Sequence, residues 1–464
     1  MRAARADVVV IGAGTAGLAA AGRLAAEGLD VVVLEARSRS GGRIATVRDP
    51  DWPLPVELGA EFIHGGNAAL RAALRRSGLR PQLLGDEHRE FLRGRFRPRA
   101  DLWGVVRRAA ARIPGLVGPG ASMGDFLRRA DGELSPSERL MLRSFVEGFE
   151  AAPLDRMSAA AFAEEDGDES QYRMPQGYDR LVAALAADLE RRKVPVLLHR
   201  AVRRIAWRPG AVDLEARDTV AGGAVRFAAL AAVITLPLGV LRARPPAAGA
   251  IAFAPALAER DRLLARLRTG HALRVALRFE PEFWRRRLLP RFGAGFVHTD
   301  DPAIAVWWSL APAPALVAWA GGPRAERLGA WGAEALLGQV LRSLRRVAGA
   351  TLPELRRALA DARYHNWLAD PYARGSYSYA QAGCEDAPAR LGRPVEETLF
   401  FAGEATADAH ELGTVHGALA SGLRAADEVI RSRTSGRRRR PAPSRGPAGR
   451  RPATRPASSA AASS

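Results

Sequence analysis

The sequence predicts an α/β fold built on a doubly wound, Rossmann-type parallel sheet, in a chain long enough for about two domains. Three observations carry this. Near the N-terminus, DVVVIGAGTAGLAAAGRLAAEGLDVVVLE reads as strand, glycine turn, helix and second strand. At the far end, LFFAGEATADAHELGTVHGALASGLRAADEVI, residues 399–430, again reads as strand, turn and helix. The length of 464 residues with 47% hydrophobic content supports a large buried interior and exceeds what one core usually holds.

The first element is the β-branched run Asp7 to Ile11, apolar throughout as in a parallel strand buried on both faces. Gly12, Gly14 and Gly17 follow as G-x-G-x-x-G. The first permits the tight turn, the second lets backbone approach a pyrophosphate, and the third lets helix pack close to strand. The alanine- and leucine-rich helix points its positive end at the phosphates, and Gly28 ends it. Val31 to Leu34 forms the second strand, and Glu35 stands at its end, spaced to accept hydrogen bonds from ribose hydroxyls. An acid at that position disfavours a 2′-phosphate. The unit predicts dinucleotide binding.

A nicotinamide-binding unit needs nothing special beyond that acid, yet LEARSRSGGR adds a second glycine turn carrying an arginine. EARxxxGGR followed by ELGAEFIHGG resembles the flavin-containing amine oxidase family, whose cofactor is FAD. The resemblance implies a discontinuous FAD-binding domain with an inserted α+β substrate domain. It places Arg37 and Arg43 on the adenylate and pyrophosphate side, beside Gly42, and Gly59, Ala60 and Glu61 along the flavin. Arginine suits such a place because its fork binds phosphate oxygens in pairs.

The C-terminal stretch extends the resemblance. Leu399 to Ala402 reads as a strand ending at Gly403 and Glu404, and the resemblance makes Glu404 the acceptor for the ribityl chain. Thr414 reads as an N-cap of the helix from Val415 to Ile430. Family geometry implies that Thr414 and Val415 meet the pyrimidine end of the flavin. In the middle, HRAVRRIAWRPGAVDLEA and AAVITLPLGVL look like the strands that return to the cofactor domain, with Val202 meeting the adenine and Thr235-Leu236-Pro237 near the cofactor. The expected FAD-binding domain is therefore residues 1–66, 187–246 and 388–432. Residues 67–186 and 247–387 are left for the substrate domain, the first part mainly helical and the second mixing strands with helices.

Chemistry is expected at NWLADPYARGSYSYAQAG, residues 366–383. By resemblance Tyr377 flanks the substrate amine, Trp367 packs near the flavin and Tyr372 lies behind it. Core packing is the plainer reading of these aromatics. Ser376 occupies the place where monoamine oxidases carry the cysteine that bonds to the flavin, so the FAD is expected to be noncovalent. His64 resembles the histidine of polyamine oxidases, and a loop histidine is the alternative. Together with GSYSY and TVHGA, it points to the polyamine oxidase and lysine-specific demethylase branch. Arg274, in HALRVALRF, stands where the family has a lysine that assists hydride transfer to flavin N5 and reaction with oxygen. A guanidinium does not shuttle protons, so a dehydrogenase using another acceptor competes with an oxidase releasing hydrogen peroxide. A solvent-facing strand residue is the bland reading of Arg274.

The expected activity is oxidation of a small-molecule amine, polyamine-like or otherwise, with O2 or another electron acceptor. An amino-acid oxidase or desaturase-type dehydrogenase of the same fold is the runner-up, and a noncatalytic flavin-binding protein acting through its basic tail is the third reading. The net charge of +19 is concentrated at the C-terminus: residues 431–464 hold ten arginines and no acid. That Arg-, Pro- and Ser-rich composition predicts a disordered basic tail over 433–464, solvated or binding nucleic acid or an acidic partner. No aromatics interleave with its arginines to stack on bases. The single cysteine, Cys384, and the lack of a signal or long apolar segment lead us to expect a soluble, cytoplasmic protein without metal.

Overall fold

The computed structural model describes residues 4–439 apart from 66, 86, 99–100 and 165–169. Strand β1 (Ala4–Ile11) lies at the heart of an eight-stranded sheet, with β2 (Val31–Leu34) on one side and β3 (Ala224–Ile234) on the other, all parallel. The strand Leu399–Phe401 joins β3, also parallel, and Ile11, Leu34, Ile234 and Phe401 come into register at one edge. Val8, Val9 and Val10 are fully buried, as a parallel strand covered on both faces must be. Antiparallel strands Ala211–Asp218 and Arg200–Arg208 extend the sheet, and Ala252–Ala254 closes its far edge.

Helices cover both faces. On one, α1 (Thr15–Ala26), α2 (Asp179–Arg191) and α3 (Val415–Arg439) share a core through Leu18, Leu24, Leu181, Leu189, Leu419 and Val429. Close approach of α3 to α1 depends on glycine, since a Cβ on Gly422 would stand 2.2 Å from the Ala16 carbonyl oxygen. The other face is covered by the helices Ala258–Arg266 and Ala387–Gly392, through Leu263, Leu264 and Leu391. This layer reaches past the limits expected from the sequence. α2 begins at Asp179, before 187, because Leu181 and Leu189 are buried with α1; the strand Ala252–Ala254, beyond 246, pairs with Arg200–Arg208.

The rest of the chain builds a seven-stranded sheet, in which β4 (Ala272–Phe279) lies between Leu359–Tyr364 and Ala315–Gly321. The segment expected to be mainly helical supplies the helices Leu102–Leu116, Met123–Arg129, Pro136–Gly148 and Ala159–Ala163, packed around Phe126, Phe145 and Phe162. It also lends the sheet a hairpin, His88–Leu92 and Arg95–Pro98. Its two-residue turn, Arg93-Gly94, has φ of 50° and 78°, the positive pair that a tight hairpin requires. Arg-Gly is a weak turn signal, which is why the sequence hides it.

The C-terminal expectation needs correction. α3 does not stop at 432 but continues to Arg439, and Arg433 donates to Asp7 at 2.8 Å. A helix already nucleated gains one hydrogen bond per added residue, so polar composition alone does not end it. The expected disorder of residues 440–464 lies outside the described residues. Among the described residues no helix is long and apolar enough to cross a membrane.

Candidate active site

A cavity of about 810 Å³ opens at the carboxyl ends of β1, β2 and β3, where open α/β sheets bind ligands. It is lined there by Gly12, Gly14, Glu35, Arg37, Gly42, Arg43, Val202 and Thr235, and it continues past Gly59, Ala60, Glu61, Trp367, Tyr372, Gly403 and Glu404. Its other end is lined by His64, Arg274, Tyr377, Thr414 and Val415. One space thus gathers all the expected site residues except Gly17. Gly17 serves the turn instead: a Cβ there would stand 1.9 Å from the Gly12 carbonyl oxygen.

The two glycine turns face each other. Gly12 has φ of +107°, and a Cβ on it would meet Thr235 Oγ1 at 2.7 Å, while that hydroxyl donates to the Ile11 carbonyl at 2.9 Å. The Gly41 amide donates to the Ala13 carbonyl at 2.8 Å, so the second turn is pinned to the first, and a Cβ on Gly42 would lie 3.6 Å from Gly14 Cα. Sequence reasoning passed over Arg39, whose guanidinium donates to the Ser40, Gly42 and Ile44 carbonyls and holds the second turn in shape. Its only signal was an extra arginine inside the turn. Glu35 is buried and accepts from the Ala13 amide at 2.8 Å and the Arg37 amide at 2.9 Å. Its carboxylate keeps lone pairs for ligand hydroxyls.

Further along, Arg43 Nη1 donates to Glu404 Oε1 and to the Ser376 carbonyl, both at 2.7 Å. The other Glu404 oxygen accepts from the Ser378 amide at 3.1 Å and from the Ser378 hydroxyl. Tyr377 is therefore held on both sides, and its own hydroxyl donates to the Phe149 carbonyl at 2.8 Å. Burial raises its pKa well above the ordinary phenol range. The Trp367 indole donates to the Leu58 carbonyl at 2.8 Å. It leaves no room at Gly59, where a Cβ would stand 3.1 Å from the indole and 1.8 Å from the Arg43 carbonyl oxygen. Thr414 Oγ1 accepts from the Gly417 amide at 2.9 Å, the N-cap expected at the start of α3.

Arg274 does not face solvent. Its side chain is 4% exposed and forks onto Glu61, with Nε at 3.0 Å and Nη2 at 2.8 Å from the same oxygen. Its Nη1 donates to the Glu57 carbonyl, and it stands over the Trp308 indole. Arg173 pairs with the other Glu61 oxygen at 3.0 Å. Burial would raise the Glu61 pKa, but the two guanidiniums outweigh it and hold the carboxyl below its ordinary range. Glu57 is buried with weaker help from the Tyr178 amide and Thr46, and is pushed up to about 7.

The far end of the cavity is aromatic. Trp103, Phe145 and Phe149 contact one another edge-on or stacked, and His64 lies edge-on to Phe149 with centroids 4.9 Å apart. His88 and His298 hydrogen-bond ring to ring at 2.8 Å in the same wall. Burial lowers both His64 and His416 to about 4, with His416 further disfavouring charge on His64, so both are neutral at pH 7. His416 was missed by sequence reasoning, although it lies two residues past Thr414.

These residues fit FAD. Two opposed glycine turns at the positive end of α1 suit a pyrophosphate, and acids at Glu35 and Glu404 suit ribose and ribityl hydroxyls. A sequence profile described as flavin containing amine oxidoreductase matches residues 15–430. The chain is 30% identical over 460 residues to lysine-specific histone demethylase 1 homolog 2 of Arabidopsis thaliana, an alignment covering 91% of this chain and 58% of that protein. It is 30% identical over 469 residues to probable polyamine oxidase 4 of the same plant, covering 92% and 87% of the two chains. Among solved structures, putrescine oxidase bound to putrescine superposes with a TM-score of 0.74 at 21% identity, covering 93% of this chain and 100% of the other. Cyclohexylamine oxidase from Brevibacterium oxydans does so with a TM-score of 0.74 at 20% identity, covering 92% and 99%. At that level of identity the likeness shows the fold.

Proposed function

The chain belongs to the flavin containing amine oxidoreductase family, a premise from which we propose that it oxidises an amine held between Tyr377 and the aromatic end of the cavity. The observation that carries this is the clamp on Tyr377. The phenol-bearing segment is fastened through Ser376 and Ser378 to Arg43 and Glu404, two of the residues that would hold FAD. Cofactor and amine sites are thereby one construction. When bound, FAD supplies the two-electron oxidation that turns the amine into an imine, which water hydrolyses. The cofactor is held noncovalently in this reading, with Ser376 in hydrogen bonds to both backbone groups of Ala272.

The protein's own part is to present a neutral amine in the right place. Aromatic walls at Trp103, Phe145, Phe149 and Tyr377 exclude water and disfavour an ammonium. His64 and His416 stay neutral at pH 7, so they place no positive charge against an incoming amine, whose proton goes to solvent before the site encloses it. Arg274 is tied to Glu61, so it contributes a fixed positive charge rather than a mobile proton.

An amino-acid oxidase would need an arginine free to clamp a carboxylate. Among the described residues, four arginines line the cavity, Arg37, Arg43, Arg200 and Arg274, and each is already paired with an acid of this chain. That favours an amine without a carboxylate. The test is hydrogen peroxide release across polyamines, putrescine, cyclohexylamine, N-methylated lysine peptides and amino acids, with and without an artificial electron acceptor. Peroxide with an amine supports an oxidase. Turnover that needs the artificial acceptor supports a dehydrogenase, and turnover of amino acids alone overturns the reading.

A further inference from the structure

Asp370 is 8% exposed and lies behind the cavity wall, bonded to Arg37 and Tyr372, which line it, and sequence reasoning gave it no role. Its carboxylate accepts three hydrogen bonds: from Arg37 Nη1 at 2.7 Å, from His365 Nε2 at 2.8 Å and from the Tyr372 amide at 2.9 Å. Burial would raise its pKa, but the bonds from His365 and Arg37 prevail and keep the group well below the usual carboxylate range. A carboxylate buried this way is costly unless every lone pair is used, and removing a partner leaves the charge stranded.

Each of the three bonds leads to a part of the cavity. Arg37 has its backbone amide on Glu35 and its guanidinium 5.9 Å from the Trp367 ring and 5.5 Å from the Tyr372 ring. His365 lies edge-on to Trp367 with centroids 4.2 Å apart. The Asp370 amide and the amides of Ala373 and Arg374 close the turn that ends at Gly375, whose amide donates to the Trp367 carbonyl at 2.9 Å. One carboxylate therefore aims the guanidinium on the Glu35 side and steadies the indole that donates to Leu58.

We propose that Asp370 is a positioning residue, which sets Arg37 toward the adenylate side of the cofactor and, through His365 and the 370–375 turn, sets Trp367 against the Leu58-Gly59 segment. This rests on the reading that the cavity holds FAD. Its consequence is that cofactor affinity and the surroundings of the flavin ring answer to the same side chain, although Arg37 and Trp367 do different jobs.

The test uses apoprotein of the wild type, Asp370→Asn, Arg37→Met and the double variant, reconstituted with FAD. Dissociation constants come from quenching of flavin fluorescence, and the visible circular dichroism of the bound flavin is recorded at saturating FAD. We expect each single variant to weaken FAD tenfold or more and the double variant to bind no worse than the weaker single. The flavin dichroism should change more in Asp370→Asn than in Arg37→Met, which keeps the His365 and Tyr372 bonds to Asp370, a split that a general loss of stability would not produce. Additive losses in the cycle, or unchanged dichroism in Asp370→Asn, overturn the proposal. Should Asp370→Asn fail to fold, the cycle is run with Arg37→Met and His365→Phe, both leaving Asp370 in place: coupled effects support it and independent ones overturn it. Wild-type protein that binds no FAD overturns the flavin reading, and this proposal with it.

Discussion

Arg43 and Glu404 meet at 2.7 Å although 361 residues separate them. The guanidinium belongs to the second glycine turn and the carboxylate to the end of a strand completed near the C-terminus, so the contact joins the outer parts of the cofactor fold. Both partners are largely buried, with side chains 21% and 6% exposed. The pair also shapes the amine site, because the same arginine atom holds the Ser376 carbonyl.

Arg274→Met should destabilise the protein by about 3–5 kcal/mol, since it strands Glu61 beside Arg173 alone and removes the bond to the Glu57 carbonyl. Urea unfolding monitored by far-ultraviolet circular dichroism measures the loss. Arg274→Met combined with Glu61→Met should recover part of it. A single variant as stable as wild type would mean the cluster is not closed in solution.

Stability should fall as the pH drops from about 6.5 to about 4. His64 and His416 are lowered to about 4 in the fold, against an ordinary 6.5, so in that window the unfolded chain binds more protons. Their contribution is complete above 6.5 and is lost on the way down to 4. Glu57, raised to about 7, works in the opposite sense: its contribution is complete below the ordinary glutamate value and is lost as the pH rises through 7. Two histidines against one carboxyl leave a net loss toward acid. Melting temperatures of wild type and a His64→Phe, His416→Leu double variant, taken every half unit of pH, should draw apart between pH 4 and 6.5 and run parallel above it; a constant separation through that window would discard this account.

Precipitation of the yellow protein with acid should send all flavin into the supernatant. Ser376 offers a hydroxyl already engaged with Ala272 and no thiol, and Cys384, the sole cysteine, is buried among residues of the other core. Colour remaining with the pellet would show a covalent bond.

Shortening the chain after residue 439 should leave melting temperature and FAD content unchanged, as the Arg-, Pro- and Ser-rich composition beyond it leads us to expect. Shortening it after 432 removes the Arg433–Asp7 pair and the last turns of α3, and should cost up to about 1 kcal/mol, the scale of a partly exposed ion pair. A large loss of flavin from the longer product would show that residues beyond 439 brace the body.

The cofactor cradle was legible because its parts are local: G-x-G-x-x-G, the acid at Glu35, the second glycine turn and the strand end at Glu404 each announce themselves within a few residues. What stayed hidden depends on partners distant along the chain. Asp370 gains meaning only beside Arg37, 333 residues away, and His88 only beside His298, 210 away. Facing solvent stayed open as the bland alternative for Arg274 because a strand pattern does not reveal that Glu61 stands opposite it. The limits of the sheet layer were misplaced for a related reason: the apolar residues of α2 could have packed on either core, and only the assembled α1 decides between them.

The packing of α3 on α1, with Gly422 against Ala16, carries a consequence for biosynthesis. A ribosome releases β1 and α1 well before Leu399–Phe401 and α3, which cover and extend their sheet. Until then the valines of β1 lack one of their coverings and Arg43 lacks Glu404. The Arg43–Glu404 contact, and with it this side of the cradle, therefore forms only after the chain has been made as far as Glu404.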